Sequence, residues 1–264
     1  MKNASKARRQ GKWVVLISIF IVFILFLTQE NKNNDSGPEW SNVTGLKNLP
    51  APDFGTLSEG MVYQPKWFTK DGDLMVGTAC VVAVEGIDEP ICITAFHCFQ
   101  RYDTVNADEM PTYVQGGELY DIFGKGTKAD CTVTETLEIP EAVSLGAGRD
   151  LAAFLVEDYQ GTVIEMSDTP CEPEDTIYLA AKLGGLPWRR LSGCLYPCKV
   201  TAVTDYEIAY ELPEQYNLSG TSGAPLLNSK GELVGIHKAS RNQQRFGDSV
   251  KSIKVLLKNA LQDR

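Results

Sequence analysis

Gly220-Thr221-Ser222-Gly223-Ala224-Pro225 sets a serine between two glycines, directly ahead of the short apolar run Pro225–Leu227. A serine hydroxyl is a poor nucleophile at its free pKa. It needs a base within hydrogen-bond reach, a third group to hold that base, and backbone donors for the developing oxyanion. Glycine at 220 lets the chain turn sharply enough for the amides of Gly220 and Ser222 to point together. Flexible loops also produce Gly-x-Ser-Gly strings, so the neighbours decide. Only two histidines can serve as the base: His97 in Thr94-Ala95-Phe96-His97-Cys98, and His237 in Gly231-Glu232-Leu233-Val234-Gly235-Ile236-His237. His97 ends an apolar, strand-like run. Asp150, in Gly148-Arg149-Asp150-Leu151-Ala152, stands where a loop passes into another such run. Each alone suits a packed histidine or a turn aspartate; together, in the order His, Asp, Ser, they form a set that base-activated serine chemistry requires.

Around these motifs the chain has a β rhythm. Short apolar or alternating runs recur at Val76–Val84, Ile91–Ala95, Leu151–Val156, Thr176–Ala181, Cys198–Val203, Tyr206–Tyr210, Pro225–Leu227 and Leu233–Ile236, with turn residues between them. This pattern predicts an all-β barrel or sandwich. One helix is expected at 249–262, capped by Asp248 or Ser249, with Val250, Ile253, Leu257 and Leu261 on one face.

Thr94–Cys98, Asp150–Ala152 and Gly220–Pro225 together resemble the chymotrypsin-like serine proteases in residue context, order and spacing, over roughly residues 55–262. The resemblance implies two packed six-stranded antiparallel barrels, about 55–160 and 161–250, followed by the helix. It also implies His97 as general base, Asp150 as its orienter and Ser222 as nucleophile. There are departures. Trypsin-type zymogens carry an aspartate before the serine to bind a freed N-terminal amine; Thr221 stands there and cannot form that ion pair. The usual cysteine partner of Cys98 is missing, with Met75 and Val76 near the expected place.

The strand Gly231–Lys238 is similar to the one that follows the nucleophile in bacterial glutamyl endopeptidases. There, and in chymotrypsin-like proteases of small RNA viruses, a histidine at the position of His237 lines the primary specificity pocket. An imidazole can donate to a carboxylate or an amide oxygen, so the expected substrate is a protein or peptide cleaved after Glu, or after Gln. Asn217 or Ser219 could add a polar group from the approach loop. Two other readings stand beside the endopeptidase: a non-catalytic binding or scaffold protein on the same fold, and an HtrA-like quality-control protease, although nothing follows the final helix. Ser at 222 excludes a cysteine nucleophile. No cofactor is implied. Cys194 and Cys198 have a metal-like spacing without a second half, so no metal is expected either.

Composition sets the outer bounds. At 43% hydrophobic and 22% charged, the chain can bury a substantial core. The net charge is −9, and residues 1–12 hold Lys2, Lys6, Arg8, Arg9 and Lys12 with no acid. Without those five, the remainder has 20 basic against 34 acidic groups, which argues against nucleic acid as a partner. The basic tail leads into Trp13–Leu27, an apolar run with Ser18 as its polar break. Positive flanks stay on the cytoplasmic side. The expected organisation is a cytoplasmic tail 1–12, a signal anchor at 13–28, a stalk at 29–54 and an extracytoplasmic protease domain at 55–264. The run also resembles a signal peptide, but lacks a small-residue cleavage site; cleavage would make the protein secreted. Seven cysteines leave at least one thiol without an intrachain partner.

Overall fold

Antiparallel pairing joins every strand of two closed sheets. The computed structural model describes residues 57, 60–100, 105–122, 129–183, 195–212, 216–241 and 244–262. The tail, the anchor at 13–28 and the stalk lie outside these residues. Among the described residues no helix is long and apolar enough to cross a membrane.

The first sheet contains β1 (Val62–Thr69), β2 (Gly72–Met75), β3 (Ala79–Val84), β4 (Ile87–Ala95), β5 (Val114–Asp121), β6 (Cys131–Leu137) and β7 (Leu151–Glu157), in the order β2-β1-β3-β4-β7-β6-β5. β5 runs along one edge of β1 and closes the ring. On the other edge β2 faces Lys66–Thr69 and β3 faces Val62 and Tyr63. β2 and β3 are therefore one strand interrupted at Val76-Gly77-Thr78, and the barrel has six staves. The second barrel closes in the order β10-β13-β12-β11-β8-β9. Its strands are β8 (Thr176–Ala180), β9 (Leu195–Val203), β10 (Glu207–Glu211), β11 (Pro225–Leu227), β12 (Leu233–Arg241) and β13 (Gln244–Ser249).

Closure abolishes exposed strand edges and turns alternate side chains inward. In the first barrel Trp67 stacks on Phe154 at 4.5 Å and meets Phe99 edge-on at 5.3 Å, all three fully buried or nearly so. The helix Val250–Gln262 buries Val250, Ile253, Leu256 and Leu257. Of its two candidate caps, Ser249 serves: its Oγ accepts the Ser252 N–H at 3.3 Å. Asp248 turns the other way, toward the first barrel.

The six described cysteines, Cys80, Cys92, Cys98, Cys131, Cys171 and Cys198, are buried free thiols. The residue facing Cys98 is neither Met75 nor Val76 but Gly77, where a Cβ would lie 2.7 Å from the Cys98 sulfur. Burial pushes the Cys98 thiol up to about 12, which leaves it a protonated packing group rather than a reactive thiolate.

Candidate active site

The end of β4 and the start of β7 are neighbours, because Ala95 pairs with Leu151. That register carries His97, in the 3-10 turn Phe96–Gln100, beside Asp150. The Phe96 N–H donates to Asp150 O at 3.1 Å and fixes the backbones together. The Asp150 carboxylate, completely buried, accepts the His97 backbone N–H through Oδ1 at 2.8 Å and meets Nδ1 through Oδ2 at 2.6 Å. With a carboxylate oxygen as acceptor, Nδ1 is the donor in this contact, and Nε2 faces Ser222. Ser222 Oγ lies 2.8 Å from Nε2.

Ser222 comes from the second barrel, 125 positions from His97 in sequence. Three bonds hold its loop in place. Thr78 donates through its N–H to Ser222 O at 2.8 Å and through Oγ1 to Gly220 O at 2.8 Å. The Gly223 N–H reaches His237 O at 2.7 Å. The break between β2 and β3 thus has a use: residues 76–78 leave the sheet to hold the serine loop. Thr221, where zymogens carry aspartate, is fully buried and closes the loop with Oγ1 on Leu218 O at 2.8 Å. The Thr221 N–H is bound to Leu218 O. The amides of Thr221 and Gly223 are thus both committed within the protein. Gly220 has φ of +86°, a conformation that suits glycine. A cavity of about 280 Å³ opens here, lined by Val76, Gly77, His97, Cys98, Gly220 and Ser222.

His237 lies on β12, 2% exposed, and its backbone N–H donates to Ala224 O. Its Nδ1 is 2.7 Å from the Tyr210 hydroxyl, a partner the sequence reading did not identify. Burial pushes the imidazole down to about 3, helped by the charges of Arg245 and His97. Asn217 and Ser219 are exposed, and Asn217 Oδ1 accepts the Ser219 N–H at 2.9 Å as a local turn. The structure thus brings His97, Asp150 and Ser222 together, sets His237 one backbone bond from the serine loop, and leaves Asn217 and Ser219 at the surface.

The sequence reading placed two buried groups nowhere near the site. Arg245, 7% exposed on β13, pairs in register with Tyr210 and lies two residues from Gly247, the partner of His237. Residues that face each other across an antiparallel pair share a face, as do residues two apart, so Arg245, Tyr210 and His237 are on the same face. The second group is Asp248, whose carboxylate accepts the N–H groups of Gly148 at 3.0 Å and Asp150 at 2.7 Å.

Comparison with known proteins identifies the family and the fold. The family model of the trypsin-like peptidase domain matches residues 77–236. The sequence matches no curated protein. Among solved structures, the fold is similar to a Glu endopeptidase, with TM-score 0.55 and 14% identity over 78% of this chain and 91% of that one. A thermostable serine protease, AL20, from an extremophilic microorganism gives 0.54 and 13% over 78% and 98%. The active form of the Rv3671c protease from M. tuberculosis gives 0.51 and 15% over 76% and 80%. The chain belongs to the trypsin-like peptidase domain family and is a serine endopeptidase.

Proposed function

We propose that His97, Asp150 and Ser222 form the catalytic triad. The observation that carries this reading is the unbroken run Asp150–His97–Ser222, with contacts of 2.6 and 2.8 Å. Ser222 Oγ attacks the scissile carbonyl as its proton passes to His97 Nε2. Asp150 holds the tautomer and stabilises the imidazolium, and the Gly220 and Ser222 amides receive the oxyanion. His97 then gives its proton to the leaving amine, and a water repeats the sequence to free the enzyme. The intact array favours turnover over a scaffold role; a serine-directed fluorophosphonate labels Ser222 in the first case and leaves it untouched in the second.

The proposed specificity is for Glu, with Gln as the competing side chain and Asn217 and Ser219 as polar groups on the approach loop. His237 is held neutral, so it offers a hydrogen-bond donor but no charge above about pH 3. A buried P1 carboxylate needs compensation, and the cation on the same face is Arg245. Glu binding then does not depend on an imidazolium. Its ordinary titration, near 6.5, is displaced far downward, so His237 stays neutral from pH 8 down to pH 5. The ratio of kcat/KM for Glu over Gln peptides should be flat across that range. His237→Ala should lower kcat/KM on both by roughly ten- to a hundredfold, the cost of about 1–3 kcal/mol for a lost buried partner. Arg245→Gln should lower the Glu-over-Gln ratio at least tenfold. Cleavage after Arg, Lys or large aromatics, indifferent to both variants, removes this pocket reading and leaves the triad reading untouched.

We also propose that the protease is tethered outside the cytoplasm by residues 13–28. The support is the basic cluster at 1–12 ahead of the apolar run. Protease added to intact cells should destroy an epitope on the catalytic domain. Protection until permeabilisation reverses the orientation, and release of a soluble body starting near residue 29 indicates a cleaved signal instead.

A further inference from the structure

β12 presents His237 to one face and, one residue on, Lys238 to the other. Lys238 is only 4% exposed, yet its Nζ contacts Asp248 Oδ1 at 2.7 Å, Glu207 Oε1 at 2.5 Å and Gly146 O at 3.0 Å. Asp248 is 1% exposed. Its Oδ2 takes the Asp150 N–H and its Oδ1 takes the Gly148 N–H as well as Lys238. Ser252 Oγ, in the first turn of the C-terminal helix, donates to Gly148 O at 2.7 Å. The loop 146–150 belongs to the first barrel, whereas Lys238, Asp248 and Glu207 belong to the second and Ser252 to the C-terminal helix that follows it.

Burying an ion pair is a poor way to gain stability. The desolvation of two charges offsets most of their attraction, and apolar residues of similar volume do as well or better. What this pair does supply is direction. A carboxylate with both oxygens committed to backbone N–H groups fixes the Asp150 backbone relative to β13, and a lysine with three oxygen contacts fixes the carboxylate. Asp150 must in turn keep two bonds to His97, whose other nitrogen meets a serine carried by the second barrel. Without a tie between Asp150 and the second barrel, relative motion of the barrels would act directly on the His97–Ser222 contact.

We propose that Lys238 and Asp248 are positioning residues for hydrolysis, an inter-barrel clamp that sets Asp150 and, through it, His97 against Ser222. The proposal rests on the triad reading. A misplacement near 1 Å at a catalytic group can cost about a hundredfold in rate. Asp248→Asn keeps the shape but opposes an NH2 group to one of the two backbone donors. It should lower kcat by roughly ten- to a hundredfold with KM within about threefold of wild type.

The deciding measurement is kcat and KM beside thermal unfolding, for Asp248→Asn, Lys238→Met and the double variant. Lys238→Met leaves the buried Asp248 without its cation and Asp248→Asn leaves Lys238 with Glu207 alone, so each loses stability; the double variant removes both buried charges and recovers it. A clamp predicts that kcat stays low in the double variant while Tm returns. A merely structural pair predicts that kcat returns with Tm, and that result overturns the proposal. Glu207→Gln, which touches Lys238 but not the loop, should keep kcat within about threefold. Ser252→Ala removes one loop anchor and no charge, so it remains measurable where the charged variants do not fold. Its kcat should fall several-fold, and an unchanged value counts against the clamp. Ser222→Ala, assayed alongside, separates the two ideas. If it remains active, the triad reading fails; if it is inactive while folded Asp248→Asn turns over normally, only the clamp fails.

Discussion

Ser222→Ala lowers kcat by on the order of 10⁶-fold, the scale seen when a serine nucleophile is removed from an otherwise complete triad. The residual rate belongs to substrate binding and to the Gly220 and Ser222 amides, which the substitution leaves in place. Stability should hardly change. The lost oxygen is half-buried and its contact is His97 Nε2, whereas the bonds that shape the loop run through backbone atoms and Thr78. The check is a single-turnover assay together with a melting curve. A folded Ser222→Ala protein that hydrolyses peptide at a rate near wild type rejects Ser222 as nucleophile. Loss of activity accompanied by a collapse in Tm would show instead that the loop depends on this hydroxyl.

Gly223→Ala should abolish activity by a different route, through the backbone. Gly223 has φ of +88°, and a Cβ there would lie 2.2 Å from Thr78 O, 2.3 Å from Thr94 Oγ1 and 2.9 Å from Ala95 N. Two of these three atoms are backbone and cannot swing away. The left-handed conformation costs an alanine about 1–2 kcal/mol, and relieving the overlap costs about 1–3 kcal/mol more. The resulting shift moves Ser222 away from His97, for a loss of at least about a hundredfold. Gly220→Ala is the control. Its φ is also positive, at +86°, but nothing lies within 4 Å of the added carbon, so its Tm should fall much less. Equal Tm losses for the two variants would show that the close approach to Thr78 and Ala95 is not what requires glycine at 223.

The strands that the sequence made legible are those whose residues are apolar on both faces or end in a motif. β3, β4, β7, β8, β10, β11 and the first part of β12 are of this kind, and β9 was legible by its alternation. Five strands were not recognised, and their residues say why. β1 carries Pro65 in its interior, β5 carries Gly116 and Gly117, and β2 is only four residues, Gly-Asp-Leu-Met, none of them buried. β6 breaks its alternation at the polar run Thr134-Glu135-Thr136, and β13 reads Gln-Arg-Phe-Gly-Asp-Ser. Proline and glycine count against a strand locally. Here barrel closure supplies the pairing that local preference lacks; Gly117, for example, lets the backbone approach Lys66 O and Trp67, where a Cβ would come within 2.9 and 3.1 Å.

His97, Asp150 and Ser222, the three residues of the proposed triad, could be singled out because the chemistry needs particular residue types, and with two histidines in the chain few combinations exist. The fold class followed from the same motifs and from the spacing of apolar runs, since period-two burial is a local property of the chain. Tertiary structure alone decided the remainder. It paired Tyr210 with His237 across 27 positions and buried the imidazole, whose desolvation holds it neutral. It also carried Asp248 to Asp150 across 98 positions, turning an expected helix cap into an anchor for the catalytic loop. The physical reason is that desolvation and backbone hydrogen bonding act through space. A sequence displays which groups can donate, accept or carry charge; only the closed barrels determine which are buried and what they meet.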